Sequence, residues 1–193
     1  MAFNHNDHYH ALMARQVPAG ASHALDVGCG TGAFARRLAR RGITVDAIDA
    51  DERVIDIATK TGTPNVTFRT VDVTTAELPD RHYDFISCLA SIHHVPFDTV
   101  TRLRAALTPG GVLAILGCYR EDLPAELPFS LVAVGANAVA RIAHLGRGER
   151  MSAPVANPTS TLPEIRAQAT RLLPGRTVRR LLFWRYLLVF HQS

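Results

Sequence analysis

An α/β fold built on a mainly parallel sheet is predicted by two features of the sequence. Between residues 23 and 118, short apolar runs alternate with amphipathic stretches of helical length, the order in which strands and right-handed crossover helices follow one another in a parallel sheet. At the head of this alternation, Leu25-Asp26-Val27-Gly28-Cys29-Gly30-Thr31-Gly32 joins an apolar run to a helical one through three glycines spaced two apart. Glycine at a strand-to-helix turn permits positive φ and lets a ligand lie against the main chain. The helix beyond offers free N–H groups to an anionic group such as a phosphate or carboxylate.

The elements follow in order. Met1–Gln16 is polar and rich in His and Asn, and Phe3, Tyr9, Leu12 and Met13 fall on one side of a short helix; with Val17-Pro18-Ala19-Gly20 it makes a cap segment over residues 1–20. His23–Val27 reads as a buried strand, Ala33–Arg41 as a helix stopped by Gly42, and Ile43–Asp49 as a second strand. Asp51–Thr61 reads as a capped helix and Val66–Val71 as a third strand; Thr74–Arg81 has room for a short helix before the strand Tyr83–Leu89. Ser91–Pro96 is a loop and Phe97–Leu107 an amphipathic helix; Thr108-Pro109-Gly110-Gly111 is a tight turn into a fifth strand, Val112–Cys118.

Beyond Cys118 the alternation stops. A helical insertion or lid is expected over 119–158, with a long apolar helix at Phe129–Leu145 and a Gly/Pro-rich loop at Gly146–Pro158. The helix contains Arg141 and is Ala-rich, which argues for a lid or an oligomer contact, with a homodimer in view, over a membrane span. Thr161 and Glu164 form a capping pair for a helix Thr161–Leu173, and Thr177–Phe183 and Arg185–His191 read as two strands close enough for a hairpin.

Bulk composition narrows the function. The chain has 193 residues, enough for one domain over 1–193 with a sizeable core, and 47% hydrophobic with 20% charged residues is ordinary for a folded protein. The net charge of +4 is carried almost wholly by arginine, Lys60 being the one lysine, and pairs such as Arg36-Arg37 and Arg40-Arg41 read as solvated surface, so no nucleic-acid partner is expected. Three scattered cysteines, with no secretory segment read ahead of them, suit a reduced, cytoplasmic setting. Cys29, Cys88 and Cys118 fall near the carboxyl ends of neighbouring strands and with His93 or His94 make a nominal metal set; lacking a Cys-x-x-Cys pair, they read as buried thiols, with no metal.

Two ligand classes compete for the glycine turn. Gly28-x-Gly30-x-x-Ala33 satisfies a loose dinucleotide fingerprint, with Asp49 about 20 residues on to grip ribose hydroxyls. Against NAD stand the third glycine at 32 and the carboxylate of Asp26, which would repel a pyrophosphate and attract an ammonium group. A ligand with an ammonium and a carboxylate at one end and a ribose at the other fits better.

These residues carry a family resemblance. Leu25–Gly32 resembles the first motif of class I S-adenosylmethionine-dependent methyltransferases, and matches follow in order: Asp49 ending the second strand, Asp72 after Val71, Tyr83-Asp84-Phe85-Ile86-Ser87 in the fourth strand, and Leu107-Thr108-Pro109-Gly110-Gly111 before the fifth. The resemblance covers residues 22–118. It implies a Rossmann-like three-layer sandwich with a seven-stranded, mostly parallel sheet of order 3-2-1-4-5-7-6 and an antiparallel last strand, which the terminal hairpin supplies. It implies S-adenosylmethionine as cofactor and S-adenosylhomocysteine as product. Gly28, Gly30 and Gly32 would shape the methionine end with Asp26 near the ammonium; Asp49, beside Ala50, would hold the ribose hydroxyls; Asp72 and the Val73 N–H would hold the adenine; Leu89 and Ala90 would lie beneath the sulfonium.

Methyl transfer from a sulfonium is an in-line displacement, so alignment and desolvation of the acceptor matter most. His93 and His94 follow the fourth strand, where either could serve as general base, or could merely pack in the loop. Tyr9 and His5, in a leader that closes over the cofactor in many relatives, are expected to touch cofactor or acceptor. The expected acceptor is a small molecule, apolar or aromatic to suit the stretch after the fifth strand. An RNA methyltransferase is the alternative, disfavoured because Ser91-Ile92-His93-His94 stands where an Asn-Pro-Pro-Tyr type motif would be.

Overall fold

The computed structural model describes residues 5–121 and 158–193. Seven strands form one sheet: β1 (His23–Val27), β2 (Thr44–Asp49), β3 (Val66–Thr70), β4 (Tyr83–Leu89), β5 (Leu107–Cys118), β6 (Thr177–Leu181) and β7 (Arg185–His191). Their order is β3-β2-β1-β4-β5-β7-β6. Pairing from β3 through β5 is parallel, while β7 runs antiparallel to both its neighbours. The helices are α1 (His5–Ala14), α2 (Ala33–Ala39), α3 (Glu52–Lys60), α4 (Val100–Ala105) and α5 (Leu162–Leu172). The sheet order and the reversed last strand are as the sequence resemblance implied.

Strand alternation sorts the core onto both faces. In β5, Leu113 and Ile115 pack with Leu25 and Ile86 on the face that carries Leu103 of α4 and Ile165 and Ala169 of α5. Val112, Ala114 and Leu116 point the other way, to Phe34 and Leu38 of α2 and Met13 of α1. Period-two alternation of uniformly apolar strands is what a sheet covered on both faces requires. Each such Leu or Ile removed from water contributes roughly 1.5–3 kcal/mol.

Three expectations shift at element ends. The helix expected at Phe97–Leu107 is a 3₁₀ turn at Phe97–Thr99 followed by α4, and Leu107 already belongs to β5, where it pairs with Tyr83. The register then slips between Tyr83 and Phe85, so the Pro-Gly-Gly turn is an excursion inside the strand and not a prelude to it. Gly111 is required there, because a Cβ would stand 2.9 Å from the Thr108 carbonyl and 3.0 Å from that of Tyr83. No helix forms over Thr74–Arg81: Asp72 Oδ1 accepts the Thr74 N–H at 2.8 Å and closes a turn in its place. The capping box at Thr161 and Glu164 forms as read. Residues 122–157, which take in the expected helix Phe129–Leu145 and nearly all of Gly146–Pro158, lie outside the described residues. Among the described residues no helix is long and apolar enough to cross a membrane.

Candidate active site

The carboxyl ends of β1, β2 and β4 open onto a cavity of about 610 Å³. The turn after β1 is hung from β2, the Gly28 and Cys29 N–H groups both donating to the Ile48 carbonyl at 2.8 and 3.0 Å. Its three glycines have positive φ but different duties. At Gly28 a Cβ would fall 2.2 Å from the Ser91 Cβ, so this glycine admits the loop after β4 as well as lining the cavity. Gly30 meets nothing within 4 Å and faces open cavity. Gly32 is buried and outside the cavity lining; a Cβ there would meet the Phe68 ring at 2.4 Å, so it serves helix packing.

Asp26 lies at the cavity's methionine end in the sequence reading, and it is 1% exposed. Its Oδ1 accepts the Ser87 hydroxyl at 2.7 Å, while Oδ2 is buried with no hydrogen-bond partner. Burial pushes its pKa up to about 7; the Ser87 hydroxyl and the nearby Ala35 N–H oppose that rise, and the Asp49 charge adds to it. An unpartnered buried carboxylate oxygen is costly unless a cation or donor meets it.

At the other end the carboxylates are already braced. Asp49 Oδ2 accepts the Gly30 N–H at 2.9 Å and Oδ1 the Asp51 N–H at 3.0 Å, which ties the glycine turn to the end of β2 and leaves further lone pairs for a ligand. Asp51 N-caps α3 through the Arg53 N–H at 3.0 Å, and exposed Ala50 lines the cavity between the two. Asp72 Oδ1 accepts both the N–H and the hydroxyl of Thr74, at 2.8 and 2.7 Å, and these bonds hold its pKa below the ordinary range. Asp72 and buried Val73 also line the cavity, so turn-making and ligand-facing roles coexist at Asp72.

The third wall follows β4. Leu89, Ala90, Ser91, Ile92, His94 and Val95 line it. Ala90 takes φ 54°, strained for a residue with a Cβ, and is held there by its N–H donating to the Leu116 carbonyl at 2.7 Å. Ser91 donates its hydroxyl to the Val27 carbonyl at 2.7 Å, locking this loop to β1. The two histidines part company here. His94 is exposed and lines the cavity; His93 is half-buried outside that lining, its ring 4.1 Å from that of His94 and its Nδ1 enclosed without a partner. Burial, then the charges of His94 and Arg185, push the His93 pKa down to about 4, so it is neutral at pH 7.

Tyr9 stands elsewhere than expected. It is 7% exposed in the core with Met13, four residues on along α1, and its hydroxyl donates to the Leu182 carbonyl at 3.1 Å. The next residue, His10, lines the cavity, its ring 5.3 Å from that of Phe34. The signal for His10 is the Tyr9–Met13 spacing, which turns those two side chains to the core and leaves the neighbouring residue to face the cavity. His5 opens α1. Cys29, Cys88 and Cys118 are free thiols whose pKa values burial raises, with the Asp26 and Asp49 carboxylates adding to the effect at Cys29. Among the described residues no group of three or more His, Cys, Asp or Glu side chains could hold a metal ion.

The donor set fits a methionine–nucleoside ligand: a buried, unpartnered carboxylate oxygen for an ammonium, an open glycine backbone beside it, and Asp49 with spare lone pairs for a diol. The same Asp26 oxygen disfavours the pyrophosphate of NAD. The methyltransferase domain family matches residues 24–111. An uncharacterized methyltransferase of Mycobacterium tuberculosis is 38% identical over 193 residues, 97% of this chain and 96% of that protein. A ubiquinone biosynthesis O-methyltransferase of Coxiella burnetii is 28% identical over 142 residues, 67% of this chain and 61% of its own. The fold is shared with a SAM-dependent methyltransferase from Aquifex aeolicus, with a TM-score of 0.64 and 20% identity over 95% of this chain and 88% of that one. With nearly its whole length matched to a methyltransferase, this chain belongs to the class I S-adenosylmethionine-dependent methyltransferases, an enzyme family that uses S-adenosylmethionine as cofactor and releases S-adenosylhomocysteine.

Proposed function

We propose that this enzyme methylates a small, largely apolar acceptor and that His94 takes the acceptor's proton. The observation that carries this reading is the composition of the wall after β4: apolar Leu89, Ala90, Ile92 and Val95 line the cavity together with His94, and His10 of α1, Asp26 and Asp49 line the same cavity. S-Adenosylmethionine supplies an electrophilic methyl on a positively charged sulfur. Asp26 would hold the ammonium and Asp49 the ribose diol, leaving the wall after β4 to the acceptor. The apolar residues of the Leu89–Val95 wall favour desolvation of the acceptor, and alignment with desolvation is the main catalytic demand of such a displacement. His94 then accepts the proton of a hydroxyl or amine acceptor. His93, neutral and stacked on it, supports the ring without adding charge.

An oxygen acceptor is the first choice to screen, since the Coxiella burnetii relative is named as an O-methyltransferase. A cytoplasmic setting suits three free thiols, and a homodimer through the apolar stretch 129–145 suits its composition. The test is a screen for S-adenosylhomocysteine release with phenols, aliphatic alcohols and amines, repeated with His94→Ala. With an acceptor found, kcat is expected to fall by roughly a hundredfold or more for a hydroxyl acceptor while cofactor affinity holds. Undiminished turnover in the variant across the pH range removes His94 from the proton path. RNA accepted in preference to every small molecule removes the small-acceptor reading.

A further inference from the structure

A second cavity lies at the opposite pole of the sheet. It is an open depression of about 550 Å³ between the ends of α1 and α2, lined by exposed Arg15, Arg40 and Arg41 and half-buried Arg37 together with Ala11, Ala14 and Val17. Because α2 leaves the carboxyl end of β1 and returns the chain to the start of β2, its last turn is remote from the cofactor cavity at the carboxyl ends of the strands. Arg37 lies in the last turn of α2, Arg40 and Arg41 in the turn that ends it, and Arg15 just past the end of α1, so the two helix ends bring four guanidinium groups to one opening.

Among the described residues no carboxylate lines this cavity and none of the four arginines has an ion pair. Arg41 donates to the Ala14 carbonyl and bridges the two helix ends. Helix-terminal carbonyls account for part of the attraction of arginine to this place. They do not account for four like charges at one opening, which repel one another until an anion enters. Guanidinium forks are the group of choice for phosphate oxygens.

We propose that Arg15, Arg37, Arg40 and Arg41 form an oxyanion site for a phosphate-bearing ligand, a docking site outside the chemistry of methyl transfer. Its distance from the cofactor cavity makes it a tether: it holds a soluble phosphorylated molecule or a phosphate headgroup at a lipid surface while the methyl group is delivered elsewhere.

The test uses the full chain at low ionic strength. Calorimetric titration with inorganic pyrophosphate is expected to saturate at one site, and Arg37→Gln combined with Arg40→Gln is expected to weaken it about tenfold or more. Melting temperature and S-adenosylmethionine affinity should stay unchanged in that variant. Sedimentation with phosphatidylglycerol vesicles, but not phosphatidylcholine vesicles, lost in the same variant, identifies the lipid headgroup as the source; pyrophosphate binding without vesicle binding identifies a soluble phosphorylated ligand. Equal pyrophosphate affinity in wild type and variant, or no saturable binding by the wild type, overturns the site. Single-stranded RNA bound far more tightly than pyrophosphate through the same arginines overturns the small-anion reading in favour of nucleic acid.

Discussion

At the β1 end of the cofactor cavity Asp26 is 1% exposed with one oxygen unbonded, whereas at the β2 end both oxygens of Asp49 are already tied to backbone N–H groups. One end is left unsatisfied and the other is braced. The difference assigns them distinct work. A braced carboxylate presents its lone pairs in fixed directions and loses little freedom when a ligand arrives. An unsatisfied buried one favours a cationic partner, whose charge and N–H donors together offset its penalty more than a neutral donor can.

Removing the braced carboxylate should do the most damage. In Asp49→Ala the ligand loses its diol acceptors, and the Gly30 N–H loses the bond that holds the glycine turn to β2. Two charge-assisted hydrogen bonds place the expected loss of S-adenosylmethionine affinity at about a hundredfold or more by calorimetry. Affinity within a few-fold of wild type would mean that Asp49 is only a brace.

The unsatisfied carboxylate should respond to pH. Asp26 has its pKa raised from 3.8 to about 7, so the ligand-free fold binds a proton that the unfolded chain releases between those values. Its ionisation therefore lowers ligand-free stability as pH rises from about 4 to about 7, with no further change above that window. Cofactor binding runs the other way. An ammonium prefers the ionised carboxylate, so affinity should climb through pH 7 and weaken by about tenfold per pH unit below it. Asp26→Asn keeps an acceptor for Ser87 while removing the charge. It should flatten both profiles, bind the cofactor about tenfold more weakly at pH 8, and melt no lower than wild type without ligand. A wild-type affinity constant between pH 6 and 8 would deny Asp26 this role.

The same contrast explains what the sequence made legible. The braced end is local: strand, glycine turn, strand-terminal Asp49 and post-strand Asp72 are short-range patterns, and the family resemblance they carry is what implies the sheet order. Gly32 was misgrouped with its neighbours because its neighbour in space, Phe68, lies 36 residues away in β3, and spacing within the motif carries no trace of that contact. His10 escaped because composition drew attention to the whole His-rich leader, although buried Tyr9 and Met13 fix the inward face of α1 and leave the adjacent residue to turn elsewhere. His93 and His94 were indistinguishable as residue types; only the 3₁₀ turn Ile92–His94 separates a half-buried ring from one on the cavity.

The smallest expected effect belongs to Asp72, the carboxylate that shares its duties. Its Oδ1 is engaged by Thr74 through both the N–H and the hydroxyl, and the residue is exposed, so no deep burial raises its worth to a ligand. Asp72→Asn retains an Oδ1 to accept from Thr74 and can still face an adenine amino group with a carbonyl oxygen. Affinity should fall only about threefold, as expected for exchanging a charged acceptor for a neutral one in a water-accessible place. Asp72→Ala removes the turn as well, and should lower the midpoint of denaturant melts slightly along with a somewhat larger loss of affinity. If Asp72→Asn instead weakened binding as much as Asp49→Ala, charge at the adenine end would matter as it does at Asp26. The contrast between a braced nucleoside end and a charge-selecting methionine end would then be lost.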